Sequence, residues 1–77
     1  MPKYKVSVIN EHFTSEDEVD CPNQEAALKQ ALKGALDIAG EHVASGQAFF
    51  GAEVVLNEES KRVLRMVISV GAAPLKS

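Results

Sequence analysis

Between Asn23 and Ser45 the residues sort by the period of an α-helix. At 100° per residue, Ala27, Leu28, Ala31, Leu32, Ala35, Leu36, Ile38, Ala39, His42 and Val43 fall on one half of the wheel. Lys29, Gln30, Lys33, Gly34, Asp37, Gly40 and Glu41 fall on the other half. A stripe of this kind has to lie on an apolar surface, and the flanking segments read as short strands able to supply one. This helix constrains the fold more than any other feature of the chain.

Its ends carry matching signals. Pro22 disfavours helix at Cys21, Asn23 is placed as the N-cap, and Glu25 stands in the first turn against the helix dipole. Gly46 is placed to close the far end in a left-handed cap. Along the apolar half, Ala27, Ala31, Ala35 and Ala39 form a row of small side chains beside Leu28, Leu32 and Leu36. Small residues let a helix approach its neighbour closely, and leucines fill the space to one side. The apolar arc is about 160–180° wide, more than the roughly 100° that seats a helix on one surface. Its excess is expected to meet the tail (Ala72, Ala73, Pro74, Leu75) or another subunit.

Four strands are expected around it. Tyr4, Val6 and Val8 alternate with Lys3, Lys5 and Ser7, the period of a half-buried strand running to Ile9. Asn10, Glu11 and His12 read as a turn, and Phe13 to Val19, mostly acid and hydroxyl, as a charged edge strand. After the helix, Phe50, Ala52, Val54 and Leu56 share one face of a strand. Asn57 to Lys61 is expected to be a loop of the three-to-five-residue kind. Leu64, Met66, Ile68 and Val70 then alternate with Val63, Arg65, Val67 and Ser69. The fold class that follows is α+β in two layers. One long helix packs on a mostly antiparallel four-stranded sheet in the order β-β-α-β-β. Residues 1–77 form a single domain, with 71–77 as a tail.

A chain of 77 residues has a thin core, and cores of this size supply about 3–5 kcal/mol unless something staples them. Cys21 is the only cysteine, so there is no internal disulfide and no cysteine-based zinc site. Association with a second copy is the expected remedy. The lone cysteine fits a reducing compartment, no apolar signal core precedes the first strand, and no run is long enough to span a bilayer. A cytoplasmic location is expected.

The formal net charge is −3, and its distribution is uneven. No lysine or arginine lies between Lys5 and Lys29, where Glu11, Glu16, Asp17, Glu18, Asp20 and Glu25 stand. Nucleic-acid binding needs the opposite, a concentrated basic stripe, and anionic lipid repels such a block. The partners expected are a second copy of the chain or a basic protein, with neither nucleic acid nor membrane.

Each residue capable of chemistry has a structural reading that suits it better. His42 lies one turn from the helix end, where it can bond a carbonyl or pack, and no carboxylate or cysteine stands at a helical spacing to orient it. His12 is in a turn beside Glu11 without metal-ligand spacing. Cys21 stands ahead of a helix N-terminus but among carboxylates, so it reads as inert and partly buried. The run Glu16–Asp20 reads as a solvated edge, with docking of a basic partner as the alternative. Of the Phe49-Phe50 pair, one ring should face the core and the other cover the helix end. The glycines at 34, 40, 46, 51 and 71 are scattered and form no phosphate loop. No catalytic residue, cofactor or metal ligand is assigned, and an enzyme is not expected.

Met1-Pro2-Lys3-Tyr4, the acidic stretch ending in Asp20 and the helix start Pro22-Asn23-Gln24-Glu25-Ala26-Ala27 resemble a family of small bacterial proteins of unknown function. Val54-Val55-Leu56-Asn57-Glu58-Glu59 and Arg62-Val63-Leu64 continue the resemblance. It implies the β-β-α-β-β layout and brings no catalytic or binding residue. Similar members often carry a glycine in the acidic stretch and another in the last hairpin turn. Glu16-Asp17-Glu18 and Ser60-Lys61 stand there instead. The rhythm of Glu25-Ala26-Ala27-Leu28 and Ala31 to Leu36 also resembles the helix of antitoxins built on a small ribonuclease-H-like sheet. Those antitoxins neutralise a toxin by binding it. The function expected is a non-enzymatic structural or interaction module, homodimeric, or an acidic regulator that binds a basic partner.

Overall fold

A computed structural model describes residues 2–75 of the chain. Within them lie β1 (Lys3–Ile9), β2 (Thr14–Asp20), α1 (Gln24–Ala44), β3 (Phe49–Glu58) and β4 (Lys61–Gly71). The strands form one sheet in the order β2-β1-β3-β4, every neighbouring pair antiparallel. The architecture is the expected α+β arrangement of two hairpins joined by a helix. Strands β2 and β3, on either side of the helix in sequence, do not pair.

The helix begins and ends as its sequence requires. The Asn23 side chain accepts a hydrogen bond from the Ala26 N–H at 2.9 Å, satisfying one of the donors a helix start leaves over. At the other end Gly46 takes φ +116°, its N–H donates to Val43 O, and the Gln47 N–H donates to His42 O. This pair of bonds is the Schellman closure, and the positive φ at its turning point favours a residue without Cβ.

The alanine row seats the helix. Ala27, Ala31, Ala35 and Ala39 are buried, with Tyr4, Val6, Val8, Phe50, Ala52, Val54 and Leu56 beneath them. Leu56 and Val54 are the largest side chains sealed from water, each contributing about 1.5–3 kcal/mol by burial. The helix lies over β3 and β4, touches β1 less, and does not cover β2. The leucines are left on its flank: Leu28 and Leu32 are partly buried and Leu36 is 49% exposed.

Four expectations change. The second strand spans Thr14–Asp20 rather than Phe13–Val19, because Phe13 closes the preceding loop by accepting the Asn10 N–H at 3.0 Å. The last loop is two residues long, Glu59-Ser60, since Glu58 already pairs with Lys61. Both loop residues have positive φ, 51° and 66°, the geometry that matches the twist of a two-residue hairpin. The register shifts between Leu56 and Asn57: Leu56 faces Leu64 and Asn57 faces Arg62, so Val63 is the extra residue of a bulge. The tail begins after Gly71, which belongs to β4. Its Ala72–Leu75 part is exposed and does not cover the helix, Leu75 being 94% exposed. Positions 76 and 77 of that tail lie outside the described residues. Phe49, finally, points to the sheet face away from the helix and covers no helix end.

Candidate functional site

One end of the sheet gathers the three phenylalanines. Asn10 shapes its loop: its Oδ1 accepts the His12 N–H at 2.8 Å, and its Nδ2 donates to Gly51 O at 3.0 Å, tying loop to β3. That turn delivers Phe13 to the last turn of α1, where its ring stacks on His42 with centroids 6.0 Å apart and planes 14° apart. Phe50 completes the cluster, 5.0 Å from the His42 ring and 6.2 Å from Phe13. Such contacts add about 0.5–1.5 kcal/mol per pair beyond simple burial. A cleft of about 780 Å³ opens beside them, lined also by Asn10, His12 and Gln47.

The chemistry of this cleft follows from His42. Its Nδ1 lies 3.0 Å from Ile38 O, and a carbonyl only accepts, so Nδ1 carries the proton. Nε2 is then the only nitrogen open to another group. No acid orients the ring, because the backbone carbonyl does so. His12 is exposed and sits 3.3 Å from its neighbour Glu11. Both histidines therefore line one cleft, each held by a local partner. No group of three or more His, Cys, Asp or Glu suited to a metal occurs among the described residues.

A second concavity follows from the off-centre helix. Because α1 leaves β2 uncovered, a groove of about 340 Å³ runs between them over Val6, Val8, Ala31, Ala35 and Ile38. Asp17 stands at its rim, on the helix side of β2. Near the helix start Cys21 is buried, and its thiol donates to Gln30 Oε1 at 3.1 Å. Burial pushes the Tyr4 phenol above its usual range, with the charge of Glu58 and then Cys21 adding to the effect.

The sheet face away from the helix carries the rest. Glu16, Glu18 and Asp20 of β2 lie there, opposite Ser7, Lys5 and Lys3 of β1. Of the four acids between Glu16 and Asp20, Glu16 is ion-paired among the described residues, 3.3 Å from Lys5. Arg65 donates from Nε and Nη2 to Glu53 Oε2, the Nε bond being 2.9 Å. Both pairs are solvent-exposed and worth little to stability, about 0–1 kcal/mol each. Ile9, Glu53 and Val67 form one row across three strands. Phe49 lies over Gly51, where an added Cβ would come within 3.1 Å of its ring. A glycine there lets the aromatic ring lie flat on the sheet.

Residues 4–69 match the family described as Domain of unknown function (DUF6894). The chain belongs to that family. The match takes in Tyr4, the acidic strand, the helix start and both strands of the last hairpin, which are the residues that carried the resemblance; Met1 to Lys3 lie outside it. No curated protein and no solved structure matches the chain. The DUF6894 assignment thus agrees with the β-β-α-β-β layout. No helix among the described residues is long and apolar enough to cross a membrane.

Two contributors were not singled out from the sequence of this DUF6894 chain. Sequence alone places Phe13 in a strand, although it follows a turn and is the only aromatic near His42 in the first hairpin. Asn10 fits any turn by composition, and its two side-chain bonds set this one. An asparagine two places before a residue whose N–H needs a partner is the local signal that was there to read.

Proposed function

We propose that this DUF6894 chain is a non-enzymatic protein-interaction module that works as a homodimer. The observation that supports this is where the larger apolar side chains go. The core beneath the helix takes Tyr4, Phe50 and Leu56, yet Val67 is left 79% exposed, Phe49 64%, Leu36 49% and Ile9 37%. Ile9, Phe49 and Val67 all lie on the bare sheet face, with Glu53 between Ile9 and Val67 in their row. A small domain with a thin core gains stability by covering such surface with a second copy. The Cys21 thiol is buried and donates to Gln30, and the His42 ring is held by the Ile38 carbonyl and not by an acid, which supports a role without catalysis. The single thiol supports a reducing, cytoplasmic setting, and the acidic first hairpin argues against nucleic acid or anionic membrane as partners. Sedimentation equilibrium at micromolar concentration tests the assembly: twice the chain mass is expected, and a strict monomer refutes it.

A second reading is favoured by β2 itself. It is a free sheet edge bearing Glu16, Asp17, Glu18 and Asp20, all exposed, next to the apolar groove. Such an edge suits an extended, basic segment of another protein. Capture of one basic partner from the native host is expected, and it should be lost when the four acids become Asn or Gln. Capture indifferent to those changes ends this reading.

A further inference from the structure

Two features meet at the β4 side of the molecule. The first is the strand. β4 is the outer strand on its side of the sheet, so one row of its backbone N–H and C=O groups has no strand partner. From Met66 to Ala73 it and its continuation carry no charge, whereas β2, the other edge, is acidic along its length. Natural edges are blunted by charge, and the second half of β4 lacks that protection.

The second feature is the helix. At 100° per residue, Gln30, Gly34 and Ile38, which line the groove over β1 and β2, fall on one flank of the alanine row. Leu28, Leu32 and Leu36 fall on the other flank and so overhang β4. Leu36 is half exposed there. An apolar strand edge and an apolar helix ridge therefore border the same open side.

We infer that this side is where a second copy of the chain docks, the two β4 strands pairing antiparallel about a two-fold axis within Met66–Val70. The inference rests on the homodimer reading above and takes Val67 and Leu36, rather than Ile9, as its surface. The same operator that pairs the strands places both helices on one face of a joined eight-stranded sheet, with their leucine ridges facing each other across the seam. Of the edge-to-edge pairings open to two copies, β4 with β4 is the one these residues favour. Pairing two β2 edges would set Glu16, Asp17 and Glu18 against like charge. Pairing β4 with a β2 edge would lay Met66–Val70 against a strand with one apolar residue, Val19. Antiparallel self-pairing instead matches apolar with apolar on the helix side. It also keeps Arg65 of each copy away from Arg65 of the other, because they lie toward opposite ends of the seam.

The test uses the full chain. Sedimentation equilibrium is run on the wild type, Val67→Lys, Leu36→Glu and, as a control on the opposite edge, Glu18→Gln. Val67 and Leu36 are exposed enough for both variants to keep the far-ultraviolet circular dichroism of the wild type. Dimerisation should weaken about a hundredfold in Val67→Lys and Leu36→Glu, and stay unchanged in Glu18→Gln. In a Cys21→Ser background, Ser69→Cys should then be joined into dimers by a short bis-maleimide, and Glu18→Cys should not. A dimer that keeps its affinity in both charged variants, or that links through position 18, overturns this inference and leaves the homodimer reading standing. Open-ended growth with concentration also overturns it, since that requires β4 to pair with β2. A monomer at every concentration overturns both.

Discussion

The two hairpins have the same antiparallel connectivity, yet they are built for different surroundings. The first, β1-β2, has strands of seven residues, and its outer strand is acid and hydroxyl with a single partly buried valine. Its four-residue loop, 10–13, is held by the Asn10 side chain. The second, β3-β4, has strands of ten and eleven residues, carries the helix, and turns on two residues that both take positive φ. Its outer strand ends in an uncharged run. Stability is concentrated on the β3-β4 side. The alanine row brings α1 down over β3 and β4, so packing is dense there, while β2 is held by its ladder to β1 and by few apolar contacts.

Truncation should expose that contrast most strongly. Leu56→Ala, in the sealed centre of the second hairpin, should cost about 2–5 kcal/mol. Val19→Ala, the apolar contribution of β2 to the core, should cost about 1 kcal/mol or less. Urea unfolding at one fixed protein concentration checks both, and equal costs would remove the contrast. Concentration is held because association shifts apparent stability.

The turn gives a smaller effect of opposite sign. A non-glycine residue at positive φ costs about 1–2 kcal/mol, and Glu59 and Ser60 are two such residues in succession. Glu59→Asn with Ser60→Gly supplies the pair that this turn prefers. The double change should stabilise by about 1 kcal/mol and raise the thermal midpoint by about 4–8 °C. A lowered midpoint would show that the loop is not the two-residue turn described.

The smallest effect lies where the hairpins join. Tyr4 of β1 faces Glu58 of β3, and burial raises its phenol above the usual value of about 10. In the folded chain the phenol keeps its proton to higher pH than in the unfolded chain. Stability is therefore unaffected below the unfolded value and falls as pH rises through it toward the folded one. Tyr4→Phe should flatten that alkaline decline in a pH series of denaturant midpoints, and an unchanged slope would assign it to other groups.

Much of this was legible in the residues. The helix and both of its caps could be read because Pro22, Asn23 and Gly46 act locally, and a local rule needs no knowledge of the neighbours. The faces of β3 and β4 were legible because alternation has one period. What failed depended on contacts between distant parts. The shortened last loop follows from Glu58 pairing with Lys61 and from the bulge at Val63, which are properties of a register. The place of Phe49 is not legible in sequence, because only the fold reveals that Gly51 clears room for its ring on the bare face. The cleft around His42 was missed in part because Phe13 reaches it through a loop whose shape Asn10 sets. The off-centre seat of α1, and with it the groove over β2, is a property of packing that no window of sequence contains.

Hydrogen exchange, read strand by strand at two protein concentrations, goes to the heart of this contrast between the hairpins. Amides of β3 should be protected throughout, those of β2 should exchange fast at both concentrations, and the outward amides of Met66–Val70 should gain protection only in the concentrated sample. Slow exchange across β2, or β4 amides equally fast at both concentrations, would contradict the account.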